Sequence, residues 1–211
     1  MPGRPYHRED LRNEILAEAR AMIGKAGMSA FSMRDLSRRL GVSHAAAYRH
    51  FESKEALLGE LILDANRRFY RRLAEARSET GGDAAERLLA IGEAYLDFGL
   101  SDNADLELLF GGESLALTER AAEAGRIDLA KTDEIDSFSI LKGTIADCIN
   151  EGYFPRGTDA EAMSVVFWSL VHGYCVLARD GAIGGMSERR GQREADIRRE
   201  VLGQLRRLVR K

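Results

Sequence analysis

Gly41, in the run Leu40-Gly41-Val42-Ser43, puts a corner into an otherwise helix-forming stretch and limits what residues 32–54 can become. Before it, Met33, Leu36 and Leu40 recur at helical spacing, so one helix buries that face. Ser32 stands where an N-cap belongs, and Asp35, three residues on, occupies the reciprocal capping position. Glycine adopts a left-handed C′ geometry without a Cβ penalty, which ends this helix at Gly41. Val42 plugs the corner, and Ser43 caps a second helix predicted from His44 to about His50. Two short helices joined by a glycine turn make a helix-turn-helix, whose second helix enters the major groove of duplex DNA.

The second helix suits that task. Ala45, Ala46 and Ala47 are small, so a backbone can approach a surface closely, and Ser43, His44, Tyr48, Arg49 and His50 flank them with polar groups. The competing reading is a solvated alanine-rich helix, since alanine has the highest helix propensity. Arg34, His44 and Arg49 are the candidate base contacts, with Ala45 and Ala46 as apolar close-approach positions. Ser32, Ser43, Tyr48, His50 and Lys54 are better placed for phosphate, Lys54 because the first turn of the following helix already favours an anion. Arg38 and Arg39 read as a solvated helix face. Arg4 and Arg8, on a proline-bearing arm, are further candidates for a minor-groove contact.

Phe31, Arg34, Leu36, Leu40-Gly41-Val42-Ser43, Tyr48-Arg49-His50-Phe51, Ser53-Lys54-Glu55 and Leu57-Leu58 follow one another without a gap, and Leu11 to Gly27 fits a preceding helix. This pattern resembles the DNA-binding domain of TetR-family transcriptional regulators. Trp168, His172 and Gly173, in WSLVHG, and residues 95–112 resemble the WHG-type C-terminal regulatory domain of the same family. The chain departs from the family at Ala47, where many members carry leucine, and at Asp102-Asn103-Ala104, where proline is common. The resemblance implies the phosphate roles of Tyr48, His50 and Lys54. It also implies a body with an apolar pocket for a small effector, whose binding shifts the linking helix and releases DNA. Candidate pocket residues are Tyr95, Phe98, Phe110, Phe167, Trp168, His172 and Tyr174, for each of which ordinary core packing is the simpler account.

Charge distribution agrees with a DNA-binding front. The 211 residues carry a net charge of −3, yet residues 1–54 hold 10 Lys/Arg against 6 acidic residues, leaving the remainder at −7. Cys148 and Cys175 have no Cys-x-x-Cys spacing, so no disulfide framework, metal site or cofactor is expected. No apolar run is expected to reach the roughly 18 residues of a membrane span, and MPGRPYHRED lacks a signal-peptide core, so the expected location is the cytoplasm.

The fold class expected is all-α: a three-helix helix-turn-helix head over 1–54, and a helical ligand-binding and dimerisation body over 55–211. Residues 55–80 form the long linking helix, capped by Ser53, striped by Leu57, Leu58, Leu61, Ile62, Ala65, Phe69 and Leu73, and stopped at Gly81-Gly82. Helix 1 is predicted from Arg8 to Ile23, and further helices near 83–100, 103–110, 113–124, 133–151, 159–179 and 188–210. Thr158 and Glu161 form a predicted capping box, and Gly184-Gly185 a short loop. The 159–179 helix is apolar on nearly every face, so one side is expected to meet a partner subunit. Ile197, Val201, Leu205 and Leu208 supply a stripe that completes an intersubunit four-helix bundle.

The expected partners are therefore double-stranded DNA, a small-molecule effector and a second copy of the chain, with no membrane. Two alternatives compete with this regulator: a DNA-binding or architectural protein without an effector, and an all-α enzyme. No nucleophile–base or metal-ligand spacing supports a catalytic site; His172 and Cys175, one turn apart, are the nearest approach to one. The basic stretch 187–211, with nine Lys/Arg and four acidic residues, alternates charge and reads as the solvated side of a dimer helix.

Overall fold

In the computed structural model, residues 8–101, 103–114, 116–117 and 136–209 are described. Ten helices lie among them: α1 (Arg8–Ala26), α2 (Met33–Leu40), α3 (His44–Tyr48), α4 (Lys54–Glu79), α5 (Ala84–Ser101), α6 (Asn103–Phe110), α7 (Ser137–Asn150), α8 (Ala160–Arg179), α9 (Ala182–Arg190) and α10 (Glu194–Leu208). No strand occurs among the described residues, as the all-α expectation requires. The chain forms two compact units, one holding the chain up to Arg67 together with α6 and the residues after it, the other Arg68–Ser101 with α7 onward. Arg4 and most of the predicted 113–124 helix fall outside the described residues.

In the first unit, α1 packs on α2 and α6, and α2 packs on α3. Its core takes Ile15, Ala19 and Ile23 from α1, Met33 and Leu36 from α2, Ala47 from α3, and Leu57, Leu58, Leu61 and Ile62 from α4. Gly24 brings α1 against α6 closely enough that a Cβ there would lie 3.3 Å from the Ala104 Cβ. The Arg20 guanidinium pairs with the buried Asp105 carboxylate at 2.7 Å across the same contact.

In the second unit, α5, α7 and α8 pack on one another, and α10 lies on α5. Ala84, Leu88, Ile145, Cys148, Phe154, Phe167 and Val209 make one of its clusters. Asp159 caps α8 by accepting from the Glu161 and Ala162 backbone N–H groups at 2.8 and 3.0 Å. The predicted capping box at Thr158 and Glu161 is therefore replaced by a cap one residue later, and the Thr158 hydroxyl donates instead to the Pro155 carbonyl.

Further expectations are corrected. The 188–210 helix is two helices, because Gly191 takes a left-handed φ of 62° and ends α9 with its N–H on the Glu188 carbonyl. Gly184 and Gly185, expected in a loop, lie inside α9. Of the proposed bundle stripe, Ile197 and Leu205 are buried within the chain, Val201 is half-buried, and Leu208 is 60% exposed. Helix α8 is also long and apolar enough by composition to cross a membrane, contrary to the expectation that no apolar run reaches that length, although it packs here on α5 and α7. Its outer face leaves Val165, Val166, Leu170 and Leu177 exposed.

Candidate nucleic-acid interface

Local chemistry builds the corner that holds α3. Ser32, extended at φ −134°, accepts from the Asp35 N–H at 3.4 Å and opens α2. Asp35 turns its carboxylate to Arg38 at 2.8 Å. Gly41 sits at φ 66°, with its N–H on the Arg38 carbonyl and the Val42 N–H on the Ser37 carbonyl. Ser43 accepts from the Ala46 N–H at 3.2 Å and opens α3. Both serines spend a lone pair on the cap and keep an O–H with which to donate outward.

Helix α3 is shorter than predicted, ending at Tyr48 with Arg49 as its C-cap. Its placement depends on Ala47, fully buried against the head core. Ser43, His44, Ala45, Tyr48 and Arg49 are exposed, with Ala46 and His50 half-buried. The His44 and Tyr48 rings meet edge to face with centroids 4.7 Å apart. Arg34 is exposed at the start of α2. Lys54, the first residue of α4, holds its ammonium 5.7 Å from the Phe31 ring centroid, and the Ser53 hydroxyl caps the helix by accepting from the Ala56 N–H. All ten predicted DNA-contact residues thus lie on α2, α3, the turns around them and the α4 start.

Sequence reading missed Arg12, which lies over the Phe51 ring at 5.1 Å and pairs with Glu60. That contact ties α1 to the segment leading from α3 into α4. Its only sequence signal is an arginine on the edge of an amphipathic helix.

The effector candidates separate. The Tyr95 hydroxyl, on α5, accepts from Trp168 Nε1 at 3.1 Å and lies 2.9 Å from His172 Nδ1, both on α8. Phe69 meets the Tyr95 and Phe98 rings, and Phe138 meets Trp168. Burial raises the Tyr95 hydroxyl well above its ordinary value and lowers His172, with Arg179 adding to the His172 shift. Phe167 packs instead on Phe154, Tyr174 is buried farther along α8, and Phe110 belongs to the first unit.

Burial pushes the Cys148 thiol up to about 12 and Cys175 to about 11, so neither is a ready thiolate at neutral pH. Among the described residues no group of three or more His, Cys, Asp or Glu is placed to hold a metal ion.

A glycine-cornered helix pair with a short, outward helix after the corner defines a helix-turn-helix DNA-binding protein. Residues 15–61 match the family of bacterial regulatory proteins of the tetR type, and residues 88–198 match the tetracyclin repressor-like C-terminal domain. The chain belongs to the TetR family of transcriptional regulators.

It is 28% identical over 200 residues to the HTH-type transcriptional regulator Rv1816 of Mycobacterium tuberculosis, covering 90% of this chain and 85% of that one. A protein of unknown function from Rhodococcus sp. RHA1 superposes with a TM-score of 0.70 at 27% identity, over 99% of this chain and 100% of that one. At 17% identity the fold is shared with AibR, solved in complex with isovaleryl coenzyme A and operator DNA (TM-score 0.57, 79% of this chain, 84% of that one).

Ala47 is fully buried in the core of the head. Ala47→Leu is expected to lower stability by about 1–3 kcal/mol through overpacking and to displace α3. Denaturant unfolding checks the first effect, and a loss of duplex affinity exceeding the fraction unfolded checks the second.

Proposed function

We propose that this chain is an effector-released repressor that acts in the cytoplasm as a homodimer on a palindromic operator. The observation that carries the DNA half of this reading is α3, seated on buried Ala47 with Ser43, His44, Ala45, Tyr48 and Arg49 outward. Residues 1–54 form the DNA-binding domain, and 55–211 the regulatory and dimerisation domain, with 55–80 as the link. Arg34, His44 and Arg49 read base edges, Ala45 and Ala46 allow close approach, and Ser32, Ser43, Tyr48, His50 and Lys54 hold phosphates. The exposed face of α8, with Leu208 of α10, supports dimerisation through those helices. A two-fold dimer places two recognition helices about 34–36 Å apart, or a multiple of it, on an inverted repeat.

Tyr95, Phe98, Trp168 and His172, which the second unit brings together, are the proposed effector contacts. The AibR complex supports a fold of this kind serving both operator and small molecule. Release requires that the effector bind the DNA-incompetent state better. One observation favours a second reading, a DNA-binding protein with no effector: the hydroxyl, indole N–H and imidazole of Tyr95, Trp168 and His172 already bond to one another. A thermal-shift screen of small molecules, followed by operator titration of any hit, separates the two.

Selection of bound duplexes from a random pool tests the DNA reading; an inverted repeat is expected, and no enriched sequence would overturn it. With the selected duplex, Lys54→Ala is expected to weaken binding to all sequences and to reduce the slope of log K against log salt by about 0.9, one phosphate contact. Arg49→Ala is expected in addition to relax base preference at one position, by about 1–3 kcal/mol of discrimination. An unchanged salt slope in Lys54→Ala would remove its phosphate role.

A further inference from the structure

Between the C-terminal half of α1 and the flank of α2 lies a cleft of about 160 Å³, lined by Met22, Lys25, Ala26, Ala30, Phe31, Asp35, Arg38 and Arg39. We infer that this cleft binds phosphate, and that in the working protein the phosphates are those of the DNA backbone flanking the operator half-site. The inference rests on the DNA-binding reading above and extends it to Lys25, Arg38 and Arg39, of which the arginines read in the sequence as a solvated face.

Three features carry it. First, charge: three cations line the cleft against one carboxylate, Asp35. Lys25 is exposed in the last turn of α1 and has no ion-pair partner among the described residues. Arg38 and Arg39 are tethered at 2.8 Å to Asp35 and 3.1 Å to Glu18, yet their side chains stay 77% and 49% exposed. Tethering at that exposure orients a guanidinium while leaving most of its N–H donors to water, and those donors suit phosphate. Second, shape: Met22, Ala26, Ala30 and Phe31 give the cleft a non-polar lining, so among the described residues its hydrogen-bonding side chains are the charged groups. Third, continuity: Phe31 lines this cleft and also lies under the Lys54 ammonium at 5.7 Å. Ser32, the α2 cap, follows directly. Arg38 stands one helical turn from Arg34, so the same flank of α2 carries both. The basic rim is therefore an extension of the proposed phosphate-contact surface.

The test uses the full chain and the duplex recovered by selection, in two lengths: one ending at the inverted repeat, the other extended by about ten base pairs, one helical turn, on each side. The triple variant Lys25→Ala/Arg38→Ala/Arg39→Ala is expected to bind the long duplex with a salt slope shallower by about 2–3 than the unsubstituted chain, about 0.9 per lost phosphate contact. On the short duplex the two proteins should differ less. Lys25→Ala alone, which removes no ion pair, is expected to give about one third of the effect and guards against a fold disturbed by loss of the arginine tethers. Arg71→Ala/Lys142→Ala/Arg156→Ala removes the same charge from exposed positions of the second unit and should leave the slope in place.

A second arm measures Tm in inorganic phosphate against chloride at equal ionic strength. Phosphate stabilisation lost in the triple variant, with identical duplex slopes, would assign the cleft to a free anion and overturn the DNA source while keeping the phosphate site. Identical slopes and no phosphate effect would overturn the site altogether. If the unsubstituted chain selects no duplex, the DNA-binding reading falls and takes the backbone source with it; if it selects one and only the triple variant is silent, this inference alone fails.

Discussion

Leu36→Ala is expected to remove about 2–5 kcal/mol of stability, a large part of the about 5–15 kcal/mol that holds a domain folded. Leu36 is fully buried on α2 and belongs to the cluster that joins α1, α2, α3 and α4. The loss has two parts, the transfer free energy of the deleted methyl groups and the cavity they leave. The cavity opens beneath the corner, where α2 has only eight residues and α3 five, too few to hold their shape without packing. Chemical denaturation should show a lower midpoint with little change in slope. Operator affinity should fall with it, and recover in part on cooling toward the temperature of maximum stability. A variant with unchanged midpoint would mean that the corner is held by its caps rather than by its core.

Tyr95→Phe tests the polar cluster of the second unit, with an expected cost of about 1–3 kcal/mol at neutral pH. The change removes one oxygen and adds nothing, yet Trp168 Nε1 loses an acceptor at 3.1 Å and His172 Nδ1 a partner at 2.9 Å. Trp168 donates to the Tyr95 oxygen, so the Tyr95 hydrogen is directed to Nδ1, and all three groups are satisfied when the imidazole is neutral with its hydrogen on Nε2. Burial first, and Arg179 second, hold His172 below its ordinary value of 6.5.

The sign follows from linkage. Below 6.5 the unfolded chain takes up a proton that the folded chain refuses. The stability tied to a neutral His172 is therefore complete above that value and is lost as pH falls through the depressed one. In Tyr95→Phe the neutral ring loses its donor, its proton affinity rises, and this acid-side loss shrinks. Denaturation of both proteins at about pH 7.5 and about pH 5.5 checks this: the variant should be weaker at the higher pH, with the gap narrowing at the lower. A constant gap would show that Tyr95 acts through packing alone.

The parts legible in the sequence were those that short-range chemistry decides. The corner was readable because a left-handed turn needs glycine at Gly41, and serines at Ser32 and Ser43 have one favourable use beside it. Where two local solutions compete, the sequence misleads. Thr158 and Asp159 both suit the cap of α8, and the carboxylate, accepting two N–H groups, takes it. Gly191 and Gly184-Gly185 are the same residue type in opposite roles, because only Gly191 is followed by a helix start that lets the chain turn at positive φ. Contacts between distant residues leave no periodic trace. Arg20 and Asp105 are 85 positions apart, and nothing near either announces the other. The basic cleft was hidden for the same reason: Lys25 sits on α1, Arg38 and Arg39 on α2, and only the packing of the two helices brings them to one rim. The effector candidates were chosen by aromatic type, which does not tell Tyr95 and Trp168, bonded to each other, from Phe167, stacked on Phe154.

The two native thiols carry a practical consequence. Cys148 and Cys175 are fully buried and protonated at neutral pH, so a maleimide should react slowly with either. A cysteine placed on the exposed turn after α1, Ser29→Cys, then becomes the preferred attachment point for a fluorophore or spin label without first stripping the core of its own sulfurs. One label per subunit would turn an assembled pair into a molecular ruler, reporting how far apart the two reading heads stand with and without a bound small molecule.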